Sequence, residues 1–413
     1  MKTKIQLLLL LCPLLAGAQQ RIAIGYAEYM RRVCDGNLAY AAERLNIPVA
    51  EAEIRAAALF NDPSLAVEYA YNDDRRMQMG QGVTVELSKT FSPGKRRARI
   101  DLAAGERELA AALLDDRLRT LRAEAATVYL EAAKQRRLYE VAADSYRQIA
   151  ALATADSLRF ALGEITEVDA LQSRIEAGVG YNEMVQAQAG MESLCATLAA
   201  QFGSVAADTL YIPRCEPEPA APDYVLHDLL PRALDNRADL IAALRNTDVA
   251  QKALRLVRRE RNIDFDLSVG YNYNTEVRNE IAPAPKFSGI TVGVAVPLKF
   301  SNLNKGAVRS AAYRAEQAEL QYRQAQVEVQ TEVVQAYNAY RAACRQVERF
   351  DGAMIEEAKR VLEGKIYSYN RGESSLLEVL DARRTYNDVQ TRYIETLYDR
   401  AQARVALEAS VGI

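Results

Sequence analysis

The sequence predicts a mainly α-helical chain with a small membrane-spanning β part, built as a tandem repeat. Three observations lead to this fold class. One short motif occurs twice, two long stretches contain no proline, and four short segments alternate apolar with polar residues. Together these observations limit the functions that the chain can have.

The repeated motif is the clearest sign of duplication. The segment "RGESSLLEVLDARR" (371–384) has the same frame as "LGEITEVDALQSR" (162–174), 209 positions earlier. At the same offset, Phe91 of "GVTVELSKTF" aligns with Phe300 of "GVAVPLKF". Such self-similarity predicts two alike halves, residues 19–212 and 223–413, joined by a linker at 213–222. The matched pairs of the motif are Gly163 and Gly372, Glu164 and Glu373, Thr166 and Ser375, Asp169 and Glu378, Leu171 and Leu380, and Arg174 and Arg383.

The N-terminus has the pattern of an export signal. Two lysines precede an apolar run, and small residues follow it at 16–18. This is the order of a cleaved signal peptide, so residues 1–18 are excluded from the fold. Cys12 lies inside the apolar run and is followed by Pro13, which favours a mature N-terminus at Gln19 over a lipidated cysteine.

Charge and cysteine content exclude several classes of protein. Loss of Lys2 and Lys4 with the signal moves the formal charge from -3 to about -5, which argues against a nucleic-acid partner. Four cysteines remain, too few for a disulfide scaffold. A bridge between Cys195 and Cys215 is one reading, and small buried thiols on helices are the other.

Two proline-free stretches predict long helices. Residues 94–212 and 298–413 are rich in Ala, Leu, Glu, Gln and Arg, the strong helix formers. A helix over 95–162 would rise roughly 100 Å, and only a coiled coil or another shared helical wall keeps such a helix folded. The many alanines predict close helix packing. The predicted helices are 95–162, 166–203, 303–370 and 375–410.

Four segments predict strands with one apolar face. They lie at about 64–72, 82–91, 264–274 and 289–300, the length of transmembrane β-strands. A soluble four-stranded sheet covered by a helix has the same alternation, but tyrosines near the loop ends and polar loops favour the membrane. Because a bilayer tolerates no open sheet edge, other copies of the chain must complete the sheet. The predicted membrane-facing residues are Val67, Tyr69, Val85, Leu87, Val269, Tyr271, Val294 and Val296.

Nothing in the sequence predicts catalysis, a cofactor or a metal site. The chain has no GxSxG, HExxH or P-loop motif, and its acids are dispersed along helices. His227 is the single histidine. The sequence therefore predicts a protein that is not an enzyme.

The chain resembles the outer-membrane efflux protein family, the TolC-like exit ducts. The duplicated plan, "YNRGESSLLEVLDARR" (369–384) and "NRADLIAALRN" (236–246) are similar to family patterns, although Ala238 stands where proline is common. The segments "NDPSL" (61–65) and "FSPGKRRARI" (91–100) look most like the branch that serves cobalt, zinc and cadmium pumps.

The resemblance implies a homotrimer in the outer membrane that extends into the periplasm. Three protomers would give four strands each to a twelve-stranded β-barrel, which continues into a long α-helical coiled-coil tunnel. The implied partners are outer-membrane lipid, a periplasmic adaptor protein and an inner-membrane transporter of the resistance-nodulation-division class. The implied function is the passive exit duct of a tripartite efflux pump.

Other functions share parts of this pattern. A duct of type I protein secretion has the same fold. A purely structural periplasmic coiled-coil protein, or a periplasmic adaptor with a coiled-coil hairpin, would share the helices but would not need four alternating strands. A heat-resistant trimer in the membrane fraction would separate these classes.

The resemblance also implies two kinds of site at the helix tips. Gly163, Glu164, Gly372 and Glu373 would dock the adaptor, and locally each glycine reads as the C′ residue of a helix followed by an N-cap. Glu378 and Asp381 would form acidic rings that narrow the closed entrance. Tyr369 and Asp169 match positions that latch neighbouring helices, with Ser374 in place of a family arginine. For Glu378 and Asp169, capping-box spacing is an equal explanation.

Overall fold

The computed structural model describes residues 20–72, 78–205, 209–215, 222–298, 302–350 and 352–413. The predicted signal peptide at 1–18, most of the predicted linker, and Phe300 at the end of the fourth predicted strand lie outside these ranges. Two compact units are distinguished. The first contains residues up to 41, 118–233 and 331–413, and the second contains 42–117 and 234–330. Each unit therefore contains parts of both predicted repeats.

The first unit is built on a parallel strand pair and long helices. Strand β1 (Gln20–Ile24) pairs with β4 (Thr209–Pro213), in register from Gln20 opposite Thr209. The Tyr129 hydroxyl lies 3.2 Å from the Ile24 carbonyl oxygen and 3.0 Å from that of Arg214, which ties both strands to a long helix. The core beside them is mostly aliphatic and aromatic: Ile24, Tyr29, Val33, Leu121, Tyr129 and Leu198.

The helices of this unit, or with a part in it, pack through small side chains. Alanines are packed with no exposed surface at several helix contacts, among them Ala125, Ala132, Ala199 and Ala233. Small side chains let helix backbones approach closely, as the alanine content predicted. The helices are α1 (Tyr26–Gly36), α2 (Leu38–Arg44), α4 (Lys95–Ala161), α5 (Glu167–Gln201), α6 (Leu226–Asn236), α8 (Lys305–Arg349), α9 (Gly352–Asn370) and α10 (Leu376–Val411).

The long helices of the two repeats differ at one point. Helix α4 runs unbroken for 67 residues, whereas the single helix predicted over 303–370 occurs as α8 and α9. Gly352 begins α9 at the position where the first repeat has Ala143. The second repeat therefore has two helices where the first has one.

The second unit contains an antiparallel four-stranded sheet in the order β2, β3, β5, β6. The strands are β2 (Ser64–Ala70), β3 (Gly82–Phe91), β5 (Phe265–Asn274) and β6 (Phe287–Ala295). Val67 lies opposite Val85, which lies opposite Tyr271. Val296 follows the end of β6. All eight side chains predicted to face the membrane lie on one alternation and are exposed: Val67, Tyr69, Val85, Leu87, Val269, Tyr271, Val294 and Val296.

One cation shares the apolar face of the sheet. Lys89 lies opposite Leu267, which lies opposite Val294, so it occupies the alternation of Leu87 and Phe91. Its ammonium lies over the rings of Phe60 and Phe91, 5.7 and 6.0 Å from their centroids. A lysine near a strand end can extend its charge toward the membrane surface while its stem covers apolar neighbours.

The opposite face of the sheet is polar. Thr90 donates a hydrogen bond to Asp266, and the hydroxyls of Ser64 and Ser88 lie 2.7 Å apart. Glu86, Gly270 and Thr291 form one row across three strands. The outer strands of the sheet, β2 and β6, each pair with one neighbouring strand within the described chain.

Helices α3 (Asn46–Ala57) and α7 (Ala238–Arg259) complete the second unit. Arg237 is the N-cap residue of α7, and its buried guanidinium pairs with Asp239 in the "NRADL" motif. Ala238 is the first residue of α7, a position where proline is well tolerated. The helix can therefore begin at this position with alanine as it would with proline. Within the described ranges, no helix combines the length and apolarity needed to cross a bilayer.

The two faces of β6 make a direct test of membrane exposure. Val292→Arg places a charge on the apolar face at the level of Val269 and Leu87, one row from Lys89. Arginine there costs roughly 2 to 4 kcal/mol at bilayer mid-depth, so we expect loss of the assembled protein from outer-membrane fractions. Thr291→Arg, one residue away, points into the polar row beside Glu86 and should assemble. Equal assembly of both variants would contradict membrane exposure of this face.

Candidate functional site

Both helix tips of the first unit end in the same hydrogen-bonded turn. The amide of Gly163 donates to the Phe160 carbonyl at 2.9 Å, and that of Glu164 donates to the Arg159 carbonyl at 2.9 Å. Gly372 and Glu373 donate in the same way, to Tyr369 and Ser368, at 3.0 and 2.9 Å. These are Schellman motifs, which need a left-handed C′ residue. Both glycines have φ of +78°, and a Cβ on either would meet no atom within 4 Å.

The N-cap residue of the next helix lies three residues after each glycine. Thr166 caps α5 by accepting from the Asp169 amide at 3.2 Å, and Ser375 caps α10 by accepting from the Glu378 amide at 3.4 Å. The Thr166 hydroxyl also donates to the Asp169 carboxylate at 2.7 Å. The hydroxyls of Thr166 and Ser375 are thus the caps, and the carboxylates of Asp169 and Glu378 accept hydrogen bonds from those hydroxyls. A role of these two acids in the pore stays a prediction.

The two tips are joined through a buried acid that the sequence reasoning missed. The Tyr369 hydroxyl donates to the Asp156 carboxylate at 3.0 Å, and Asp156 has no exposed surface. The Arg159 guanidinium stacks over the Tyr369 ring, 5.1 Å from its centroid, and lies 3.9 Å from the same carboxylate oxygen of Asp156. Burial and the hydrogen bond to Asp156 raise the pKa of Tyr369, so the hydroxyl stays protonated and remains a donor.

Tyr369 therefore pairs with Asp156 within one chain, whereas Asp169 bonds to its own cap residue. Asp169 reaches Tyr369 only through its charge. The neighbouring cluster is apolar: Ile149 packs with Tyr369, Leu376, Val379 and Leu380. One sequence signal could have indicated Asp156: an acid on α4 with Arg159 three residues later, on the same helical face.

The acids at the start of α10 have unlike surroundings. Glu378 forms an ion pair with Lys365 of α9, and this contact is the main reason that its pKa lies below the ordinary value, followed by the backbone of Ser375. Ser374 donates to the Lys365 carbonyl oxygen at 3.3 Å. Asp381 is exposed, and its carboxylate has no ion-pair partner in the described part of the chain.

The arginines of the repeated motif also differ. Arg383 is buried and lies 3.5 Å from Glu176 of α5, while Arg384 is exposed and lies 3.0 Å from the same carboxylate. Burial lowers the pKa of Arg383. Arg174, the counterpart of Arg383, is exposed. The frame of the motif is thus repeated while its contacts are not.

The predicted tip residues Glu164 and Glu373 follow the glycines on the surface. Glu164 lies 3.4 Å from Arg159, which joins it to the cluster around Asp156. The four cysteines of the described chain are free thiols, so Cys195 and Cys215 are not bridged. Burial raises the pKa of Cys195 to about 11. No group of three or more His, Cys, Asp or Glu side chains within the described ranges could hold a metal ion.

Tyr369→Phe tests the buried link between the tips. The change leaves the Asp156 carboxylate without its hydroxyl donor, and an unsatisfied buried polar group costs about 1 to 3 kcal/mol. We expect the free energy of unfolding of the purified protein in denaturant to fall by this amount. The matched control is Tyr367→Phe, two residues earlier, where the tyrosine is exposed under Arg371. Equal stability of the two variants would contradict a role for the Asp156 hydrogen bond.

Comparison with known proteins agrees with this architecture. The family model described as "Outer membrane efflux protein" matches residues 229–413. The cobalt-zinc-cadmium resistance protein CzcC of Cupriavidus metallidurans is 27% identical over 379 residues, which cover 91% of this chain and 86% of CzcC.

Solved outer-membrane channels have the same fold. The channel OprN matches with a TM-score of 0.75 at 16% identity, over 94% of this chain and 89% of that one. Campylobacter jejuni CmeC matches with a TM-score of 0.76 at 15% identity, over 93% and 86%. CusC matches with a TM-score of 0.72 at 16% identity, over 93% and 91%.

These likenesses confirm the predicted fold class, a mainly α chain with a small transmembrane β part that has the fold of one protomer of a trimeric β-barrel and helical tunnel. The predicted location, in the outer membrane and extending into the periplasm, is confirmed as well. The chain has the TolC-like fold, and its residues 229–413 match the outer-membrane efflux protein family.

Proposed function

We propose that this protein is the passive exit duct of a tripartite efflux pump. Three copies of the chain would complete a twelve-stranded barrel, and a periplasmic adaptor with an inner-membrane transporter of the resistance-nodulation-division class would open the periplasmic end. The match of residues 229–413 to the outer-membrane efflux protein family and the similarity of the chain to CzcC support this proposal.

The observation that carries the proposal is the pair of bare glycine tips. Gly163 and Gly372 end their helices in identical turns with open space around each Cα. The tips stay together through Tyr369 and Asp156. A surface with no side chain and fixed backbone geometry suits the docking of another protein's helical hairpin, because nothing has to be displaced. Glu164 and Glu373 add an acidic rim to that surface.

We propose divalent metal ions as the substrate class. The relative CzcC is named a cobalt-zinc-cadmium resistance protein. The segments "NDPSL" and "FSPGKRRARI" point to the same branch. Acidic residues at the entrance would favour cations over anions. The duct itself needs no metal-binding cluster for this role, since a passive path conducts whatever the pump delivers.

Within the entrance, we assign the main constricting charge to Asp381. Three Asp381 carboxylates, one from each copy, would repel one another and hold cations in a narrow opening. Glu378 lies one turn earlier on the same helical face, but Lys365 compensates its charge. Tyr369 and Asp156 would keep the closed state together, with Asp169 fixed at the helix cap. The expected order of importance for cation block is therefore Asp381 before Glu378.

Single-channel recording in planar bilayers tests this order. Asp381→Asn should weaken block by divalent and trivalent cations several-fold, because it removes the uncompensated charge from each copy. Glu378→Gln should change the block much less, since the side chain it replaces is already paired. Lys365→Gln should strengthen the block by leaving Glu378 uncompensated.

An equal effect of Asp381→Asn and Glu378→Gln would contradict the assigned order. Unchanged conductance and cation sensitivity in the double variant would remove both acids from the gate. Because all three substitutions are isosteric or nearly so and lie on the surface, the fold should be retained, and circular dichroism checks this.

Gly372 allows docking to be separated from backbone strain. Gly372→Asn keeps a residue that adopts positive φ but adds a side chain to the tip, whereas Gly372→Val strains the turn as well. We expect both variants to lose cobalt, zinc and cadmium tolerance in cells lacking the native protein. Trimers should persist on mild gels.

The matched control is Gly306→Asn in the first turn of α8, away from the tips, where an added Cβ would also meet nothing within 4 Å. If Gly372→Asn retained full tolerance while Gly372→Val lost it, the glycine would serve the turn alone and docking at this surface would be refuted. Unchanged metal tolerance on deletion of the whole protein would refute the proposed substrate class.

A further inference from the structure

We propose that this chain binds the phosphate group of an anionic membrane phospholipid at the end of the sheet where helix α4 begins. The binding residues, which we call the phosphate site, are Lys89, Arg96 and Arg97 beside the ring of Phe60. The site would lie at the surface of the membrane leaflet that faces the periplasm. The inference goes beyond the proposed function, because it does not depend on what the duct exports.

The sequence around the site is strongly basic in an acidic chain. The chain as a whole has 55 Asp and Glu against 52 Lys and Arg. In contrast, "FSPGKRRARI" (91–100) carries four cations and no acid. Asp62, two residues after Phe60, forms no ion pair within the described chain. The local charge therefore favours an anion that comes from outside the chain.

The helix dipole does not explain these cations. Lys95, Arg96 and Arg97 begin α4, whose first turn contains no acid. The N-terminus of a helix carries partial positive charge, so three cations there repel it. Arg258 and Arg259, by contrast, lie in the last turn of α7, where the helix dipole stabilises cations by itself. The start of α4 is thus a place where positive charge needs another source of compensation.

One of the three cations is already paired inside the chain. The Lys95 ammonium lies 2.5 Å from the Asp264 carboxylate, and both side chains are mostly buried. This ion pair ties the start of α4 to the residue that precedes β5. Arg96 and Arg97 form no ion pair within the described ranges, and Arg97 is exposed. Two cations of the helix start therefore remain for an external anion.

The ring of Phe60 holds two unpaired cations close together. The Arg96 guanidinium lies 4.3 Å from the centroid of this ring, and the Lys89 ammonium lies 5.7 Å from it. Phe60 is itself 68% exposed. Each cation is attracted to the ring, but the ring does not neutralise either charge. One anion bound between the two side chains would remove their mutual repulsion.

The free donors of Arg96 match a phosphate group. Its Nε donates to the Ala58 carbonyl at 2.6 Å, which fixes the direction of the guanidinium. Its two Nη atoms form no hydrogen bond within the described chain. A guanidinium presents its N–H groups in a planar fork that fits two phosphate oxygens, and a lysine ammonium adds a mobile point charge. Lys89 and Arg96 together therefore suit a phosphate diester.

The place of the site on the sheet assigns this phosphate to a lipid. Lys89 lies in one row with Leu267 and Val294 on the apolar face, two residues before the end of β3. The apolar face thus ends at the level where Lys89 meets Phe60. In a bilayer, the phosphate groups lie directly beyond the hydrocarbon, at the same level as snorkelling lysines. A phospholipid can therefore place its acyl chains on the apolar face and its phosphate at the site.

The second repeat does not have this site. At the offset of 209 residues, Lys89 corresponds to Leu298, Arg96 to Lys305 and Arg97 to Gly306. Lys305 also begins a long helix and is exposed. We therefore expect one phosphate site in each chain, and Lys305 supplies a matched control for its cations.

The absence of tryptophan from the chain allows a direct test. Phe60→Trp introduces a single fluorophore and keeps an aromatic ring beside both cations, because Trp is the best cation–π partner. The full-length protein is reconstituted into vesicles of phosphatidylcholine and phosphatidylglycerol, with bromine on the acyl chains of one lipid at a time. Bromine quenches tryptophan at short range, so the quenching reports which lipid lies beside the ring. We expect phosphatidylglycerol to be preferred by about five-fold or more, since one cation near an anionic bilayer surface contributes about that factor.

Charge variants of the Phe60→Trp protein give the matched comparison. Lys89→Gln combined with Arg96→Gln should bring the preference close to one, and each single change should give an intermediate value. Lys305→Gln should leave the preference unchanged. Circular dichroism checks that every variant keeps its fold.

Three outcomes would overturn the inference. The first is equal quenching by the two brominated lipids when all cations are present. The second is a preference that persists in the folded double variant, or that falls equally in Lys305→Gln. The third is loss of the preference in millimolar inorganic phosphate, which would assign the cations to a soluble anion instead of a lipid.

Discussion

The arrangement depends first on a sheet that cannot bury its own apolar side. The four strands expose valines, leucines and tyrosines on one face, and the outer strands β2 and β6 each pair on one side within the described chain. Lipid hydrocarbon can cover the apolar face, but it offers no hydrogen-bond partner for the backbone N–H and C=O groups at an edge of the sheet. An edge of this sheet in a bilayer therefore needs a pairing partner, and the trimer proposed above would supply one. Lys89 marks where the apolar face meets the polar surface.

The duplicated frame has been conserved in backbone geometry while its side-chain chemistry differs between the repeats. Both tips have the same glycine turn and the same hydroxyl cap. Beneath the first tip, Asp156 is buried and needs the Tyr369 hydroxyl. At the corresponding position of the second, Lys365 is half-buried and compensates the charge of Glu378. The turn is a local property of glycine and a cap, so it repeats with the sequence. The polar contacts depend on which helix lies opposite, so they do not repeat.

The sequence by itself determined the elements whose cause is local. Proline exclusion and alanine content predicted the long helices, strict alternation predicted the strands, and the glycine followed by Ser or Thr predicted the turns and caps, because each depends on neighbours within a few residues. The division into α8 and α9 was missed because glycines also occur inside α4 and α5, so a glycine alone does not mark a helix end. Tertiary structure alone decided that Tyr369 meets Asp156, that Glu378 is paired while Asp381 is not, and that Arg383 is buried while Arg174 is exposed. These contacts join residues from separate helices, and their partners are fixed by helix packing, which no spacing within one segment specifies.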